Sequence, residues 1–327
     1  ATEVTNICLD SRKLGSGDLF VPVIGERTDA HRFLAMAAKS GAACALTSRH
    51  CSREELMADE ELWRALHSPG AVMSVIYVED TVRGLQSLGA WYRRHRVHMP
   101  VVAVTGSVGK TTTREMTACA LSPGRRVFAT KGNLNSQVGV PMTVTSMEDE
   151  DVAVLELGVS MPGEMEKIAR VAAPDTVIMT NIGISHIEYL GSRENILREK
   201  LRIVTGSDHP VRLIVNGDND LLSGLDMDRL EELGISREQV SEIIACGSSE
   251  GCDVRMEGLK LEGGLPSFTA AFYRRHEDGS LEARPWLRQQ LSLSVPGEHL
   301  AMDALLALAA AVSLGTDPEA AARSLEG

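Results

Sequence analysis

The stretch "VVAVTGSVGKTTTREM" at residues 101–116 places two glycines, a lysine and a run of threonines directly after an apolar segment. Gly106 and Gly109 permit a tight turn whose backbone N–H groups converge, a geometry suited to a phosphate. Lys110 is placed to neutralise β- and γ-phosphates, and the Thr111 hydroxyl to reach Mg²⁺. A helix opening at Thr111 adds its positive N-terminal dipole. The usual phosphate-loop pattern has a further glycine five places before Gly109, where Val104 stands. Turn, cation and helix start are nevertheless all present. Thr105, Gly106, Ser107, Val108, Gly109, Lys110, Thr111 and Thr112 are therefore read as a nucleotide site of variant form.

Other chemistry-bearing residues fall at equivalent places. Glu156 ends the apolar run 152–156, Asn181 ends 176–181 with His186 five residues later, and Asn216 and Asp218 follow 211–215. Ligands of open α/β sheets sit beyond the carboxyl ends of the strands. A phosphate binder, a carboxylate, an amide and an imidazole are thus expected on one rim. No Ser/His/Asp or Cys/His nucleophile set is evident.

The elements that must position this rim follow from periodicity. Continuous apolar strands at 101–105, 152–156, 176–181, 211–215 and 241–246 alternate with helices at 111–121, 163–172, 193–205 and 226–234, which predicts a mostly parallel sheet covered on both faces. Residues 253–295, with turn signals at Gly263-Gly264 and Asp278-Gly279, predict antiparallel strands. An Ala/Leu-rich helix follows at 298–314, ended by Gly315. Before these, 17–23, 42–48 and 72–78 read as strands and 31–41 and 80–95 as helices, a small mixed α/β domain. The basic connector 93–100 ending in Pro100 sets the expected division at 1–98 and 99–327. The fold class expected is α/β, two domains.

Composition narrows the function classes. A formal net charge of −12 argues against a nucleic-acid surface. No run of about 18 apolar residues is present, so no membrane span is expected. Six scattered cysteines without a C-x-x-C pair read as reduced thiols of a cytoplasmic protein, and neither a disulfide frame nor a zinc site is expected.

The variant loop T-G-S-V-G-K-T-T resembles that of the Mur ligase family, the amide-forming enzymes of peptidoglycan synthesis. The resemblance continues through "TKGNLNSQVGVP" (130–141), "VLELGVSMPGEM" (154–165), "PDTVIMTNIGISHIEYLGSRENILREK" (174–200) and "IVNGDND" (214–220). The segment "DSRKLGSGDLFVPVIGERTDAHRF" (10–33) is similar to the family's UDP-sugar-binding domain. Within the family the motifs look most like the branch that joins UDP-N-acetylmuramoyl-tripeptide to D-Ala-D-Ala at the expense of ATP. The resemblance implies two Mg²⁺ ions, and a monomer is expected. Thr111 matches the first metal position, and Glu156 and His186 match ligands of the second. Lys110 and Lys200 join them as catalytic residues, and Lys200 matches a lysine that several members carry as a carbamate. Asn181, His299 and Asp303 match nucleotide-contacting positions, the last two under adenine. Ser11, Arg12, Asn133 and Asn135 match substrate contacts. On their own, His186 reads as a structural histidine and Lys200 as an exposed helix lysine.

Departures from the family pattern are visible. Ser136 and Gln137 replace Asn-Glu, Leu300 and Asp303 replace two asparagines, and Arg202 replaces an acid two places after Lys200. The family's third, Rossmann-like domain is expected after residue 327. Without it, the chain is expected to bind substrates and not to form the amide bond. Two rival readings remain open: a related ligase acting on another carboxylate, and an ATP-binding module that no longer ligates.

Overall fold

The computed structural model describes residues 3–25, 28–276 and 278–326. Glu26 and Arg27, part of the quoted segment 10–33, lie outside the described residues. Two compact units emerge, Ala1–Leu88 and Gly89–Gly327.

The first unit carries a four-stranded parallel sheet, β1 (Asn6–Cys8), β2 (Asp18–Phe20), β3 (Cys44–Thr47) and β4 (Ser74–Tyr77), in sequential order. Helices α1 (Leu34–Lys39), α2 (Arg53–Ala58) and α3 (Glu60–Leu66) lie between strands. Phe20, Leu34 and Leu62 centre its core. Ser52 and Asp59 cap α2 and α3 by accepting from Glu55 N and Leu62 N. These two helices were missed in the sequence.

Helix α4 (Thr81–His95) crosses the division between the units. The boundary falls within it, earlier than the expected 98/99, because its last turns belong to the second core. A Cβ on Gly89 would lie 2.9 Å from Val171 Cγ1, so only glycine allows that approach. Buried Arg93 donates to the carbonyls of Ala172, Val97 and Ala173 and pairs with Asp175 at 3.2 Å.

The second unit is built on a nine-stranded sheet. Its strands are β5 (Val101–Thr105), β6 (Val127–Ala129), β7 (Val152–Glu156), β8 (Thr176–Met179), β9 (Val211–Asn216), β10 (Val240–Gly247), β11 (Val254–Glu262), β12 (Leu265–Phe272) and β13 (Leu287–Ser292). The order is β13-β12-β11-β10-β9-β8-β5-β7-β6. Strands β5 to β11 pair in parallel, and β11, β12 and β13 antiparallel. Helices α5 (Lys110–Leu121), α6 (Gly139–Thr145), α7 (Glu164–Ala172), α8 (Ile187–Leu190), α9 (Arg193–Leu201), α10 (Met227–Glu232), α11 (His299–Ser313) and α12 (Pro318–Glu326) complete it.

Strand alternation splits the core into two layers. In β5, Val101 and Ala103 join the layer of Met165, Ile168 and Leu197 from α7 and α9, while Val102 and Val104 join that of α5, α11 and α12. Helix α11 is buried almost all round, and its alanines let it lie close to α5. That packing brings residue 303 to the phosphate loop.

Candidate functional site

The loop 106–109 leaves the carboxyl end of β5 and enters α5 at Lys110. Gly106 has φ 153° and Gly109 φ 82°, both outside the range of ordinary side chains. A Cβ on Gly106 would also lie 1.9 Å from Thr180 Oγ1. The turn therefore requires glycine twice. Val104, where the common pattern has glycine, is a buried strand residue paired with Ile178 and Glu156.

Two ammonium groups converge on one carbonyl. Lys110 Nζ donates to Gly106 O at 3.0 Å and Ser107 O at 3.3 Å, and Lys200 Nζ donates to the same Gly106 O at 3.0 Å. Lys200, on α9, is only 3% exposed. Burial, then the charge of Lys110, pushes its ammonium down to about 7, with Glu199 opposing. Burial also lowers Lys110, against the pull of Glu156. Lys200 is thus a buried site lysine, not the exposed helix residue its sequence alone suggests.

A depressed lysine has a definite stability signature. Below pH 7 the folded state carries the full cost of a buried charge. As pH rises above 7 the folded lysine is neutral while the unfolded one still binds its proton, so stability increases with pH. Lys200→Met is accordingly expected to raise the melting temperature most at pH 6, with the gain shrinking towards pH 9. A gain that grows with pH would contradict the assignment.

Glu156, 3% exposed at the end of β7, is held from several sides. Asn135 Nδ2 donates to Oε1 at 2.7 Å and Thr111 Oγ1 to Oε2 at 2.9 Å. Arg114 Nη1 lies 3.5 Å from Oε2 and donates to Gly132 O at 3.0 Å. Thr111 gives its proton to Glu156, so the lone pairs of its oxygen stay available to a cation. Among the described residues no three His, Cys, Asp or Glu side chains form a metal-holding group. That donor set fits Mg²⁺, which takes one or two protein oxygens and completes its shell with phosphates and water.

His186 opens α8 with φ 62°, a left-handed conformation rare outside glycine. The loop holding it is tied to the phosphate loop: Gly183 N donates to Ser107 Oγ at 2.9 Å and Ser185 Oγ to Ser107 O at 3.4 Å. A cavity of about 400 Å³ is lined by Lys110, Asn135, Gln137, Glu164, His186 and Lys200 among others. Glu164 accepts from Gln137 Nε2 at 3.0 Å and from the amides of Ser160 and Met161, so Gln137 is braced at the cavity wall. Buried Glu199 accepts from Gly163 N and Met165 N at 2.9 Å each, fixing the start of α7 behind Lys200.

The remaining expected residues are placed less uniformly. Asp303 lies under the loop, with Oδ1 3.0 Å from a Cβ built on Gly109 and accepting from Thr113 Oγ1 at 2.9 Å. Burial raises its carboxyl to about 6, against the Thr113 bond and the charge of His299. His299 is exposed at the start of α11, and Leu300 is buried in the core. Thr112 is half-buried in the first turn of α5, while Thr105 Oγ1 is buried without a partner. Asn133 is exposed and supplies its carbonyl to Asn135 N. In the first unit, Ser11 and Arg12 form a short 3-10 turn capped by Asp10. Arg12 pairs with Asp10 at 2.7 Å and holds that carboxyl down at about 2. Sequence reading missed Arg114, whose signal was its position one turn after Lys110 on the same helix.

The Mur ligase middle domain family matches residues 104–311. The chain is 32% identical over 327 residues to the UDP-N-acetylmuramoyl-tripeptide–D-alanyl-D-alanine ligase of Bacillus subtilis, covering 100% of this chain and 62% of that protein. A crystal structure of MurF from Acinetobacter baumannii superposes with TM-score 0.78 at 29% identity, over 99% of this chain and 62% of that one. A MurF ligase from Thermotoga maritima in complex with ADP gives TM-score 0.76 at 25% identity, over 100% of this chain and 66% of that one. The chain thus spans just over three-fifths of the Bacillus subtilis relative. The chain belongs to the Mur ligase family.

Proposed function

We propose that the chain supplies the ATP-binding and UDP-sugar-binding parts of a ligase that adds D-Ala-D-Ala to UDP-N-acetylmuramoyl-tripeptide. The observation that carries this is the convergence of Lys110, Lys200 and His186 on one cavity beside a glycine phosphate loop, with the Glu156–Thr111 pair behind it. Relatives named for that reaction, and one crystallised with ADP, support the choice of substrates.

In this reading the tripeptide carboxylate attacks the γ-phosphate of ATP, giving an acyl phosphate and ADP. The amine of D-Ala-D-Ala then displaces phosphate through a tetrahedral intermediate. Anion must approach anion in the first step, so the protein's task is positioning and charge neutralisation. Lys110 leaves the loop carbonyls and turns to the β- and γ-phosphates. Thr111 would hold one Mg²⁺ and Glu156 with His186 a second, and the ions would supply further neutralisation of phosphate charge. Asn135 keeps one oxygen of Glu156 occupied and so directs the other toward Thr111. Lys200, half-neutral near pH 7, is poised to take up CO₂ as a carbamate, which would place an anion where a cation now sits. The uridine diphosphate end is assigned to Ser11 and Arg12 of the first unit, the peptide end to Asn133 and Asn135. The protein is proposed to be cytoplasmic and monomeric. No described helix is long and apolar enough to cross a membrane.

Calorimetry of the chain with UDP-N-acetylmuramoyl-tripeptide tests the reading. Saturable binding that falls about tenfold in Arg12→Ala is expected, the cost of one charge-assisted contact. No binding of this substrate, with tight binding of another carboxylate such as a folate, would favour the related-ligase reading instead.

A further inference from the structure

Two of the amides that this loop presents are already occupied by the protein itself. Asn181 Oδ1 accepts from Ser107 N at 3.1 Å and from Val108 N at 3.0 Å. The Asn181 backbone carbonyl also accepts from Ser107 N at 3.1 Å, and Thr180 Oγ1 donates to Val108 O at 2.5 Å. Residues 180 and 181, just past the end of β8, thus grip the outer limb of the loop. The inner limb stays open. The first amide of α5 with a backbone acceptor is Thr113 N, bonded to Gly109 O at 2.9 Å, so Lys110, Thr111 and Thr112 keep the free N–H groups of a helix start.

We infer that Asn181 is a positioning residue that fills the Ser107 and Val108 amides with a neutral oxygen, so that a polyphosphate is turned away from those two amides and towards Gly109 and the helix start, residues 110–112. The inference rests on the nucleotide reading above and refines the role expected of Asn181, which acts through the loop instead of touching the nucleotide. The chemistry explains why an amide serves here. Its oxygen satisfies two N–H groups without bringing negative charge towards the phosphates. A carboxylate of the same shape would bind both amides more strongly and repel the ligand. Were the contact only a structural tie, an aspartate would do as well or better. That contrast makes the inference testable.

The experiment titrates MgATP into the unsubstituted chain, Asn181→Asp and Asn181→Ala by calorimetry, with melting temperatures of all three. Asn181→Asp is expected to melt as high as the unsubstituted chain or higher, yet to bind MgATP roughly 100-fold more weakly, from the charge placed beside the phosphates. Asn181→Ala is expected to melt lower and to bind about tenfold more weakly, because the loop loses its brace. Equal affinity in Asn181→Asp overturns the inference, as does an affinity that falls only in step with melting temperature. Should the Asp variant not fold, amide hydrogen exchange in Asn181→Ala decides. Faster exchange at Val108, whose amide relies on the side chain alone, with MgATP protecting 109–112 and not 108, supports the inference; unchanged exchange at Val108 overturns it. If the unsubstituted chain binds no MgATP, the nucleotide reading itself fails and this inference falls with it.

Discussion

Replacing Lys110 by alanine is expected to weaken MgATP binding about 100-fold or more, some 3 kcal/mol, while leaving the fold intact. In the absence of ligand the ammonium rests on the carbonyls of Gly106 and Ser107. These contacts are local and replaceable by water, so the stability cost of removing them is small. The binding cost is expected to be large, because the charge is half-buried and stands where the phosphates are proposed to lie. Burial already lowers Lys110 from its ordinary value, so phosphate binding is expected to favour its protonated form again. The neighbouring Lys200 cannot substitute. It is buried, already lowered to about 7, and held on the same carbonyl. Calorimetry showing unchanged MgATP affinity in Lys110→Ala would sink the phosphate-loop assignment.

Gly106→Ala is expected to abolish nucleotide binding by a different route. Its Cβ would lie 1.9 Å from Thr180 Oγ1, at a backbone angle that L-residues rarely adopt. Relief requires either that Thr180 rotate away, losing its bond to Val108 O, or that the loop shift from its amides' present direction. Backbone strain of this kind costs about 1–3 kcal/mol, and the lost loop geometry adds to it in binding. Pairing the change with Thr180→Ala removes the clashing oxygen and leaves the backbone angle. The double variant should therefore recover melting temperature more than it recovers affinity. Thermal unfolding and MgATP titration of the two variants, side by side, check this. Undiminished affinity in Gly106→Ala alone would contradict the loop geometry.

Much of this architecture was legible in the chain because its signals are local. The strands at 101–105, 152–156 and 211–215 are continuous apolar runs, and β5, β7 and β9 fall on them. The Gly263-Gly264 pair does turn β11 into β12, with positive φ at both residues. Helix α6 was missed for a physical reason: Pro141 and the β-branched Val140, Thr143, Val144 and Thr145 are poor helix formers, and burial holds the segment helical. The edge strand β6 is only Val127–Ala129, too short to show alternation. Helix α12 was also missed, although Asp317-Pro318 marks its start, where Asp317 accepts from Ala320 N at 2.8 Å.

At the candidate site, residue types marked the glycine loop and Glu156 as candidates, but not their couplings. That Asn135 and Thr111 share the carboxylate of Glu156 depends on the register of β7 beside β5, which no spacing reveals. That Asp303 lies against Gly109 depends on the packing of α11 over α5, distant in sequence. Lys200 needed its burial to be known before its chemistry could be judged.

A magnesium nucleotide is proposed to lie on the start of α5. A crystal structure of this chain with Mg²⁺ and a non-hydrolysable ATP analogue tests this placement most directly. The expected result is the β- and γ-phosphates against the amides of 110–112, with Lys110 Nζ turned onto them. A cation is expected at about 2.1 Å from Thr111 Oγ1, near Glu156. Phosphates bound elsewhere, with Lys110 still folded onto Gly106 O and Ser107 O, would contradict it.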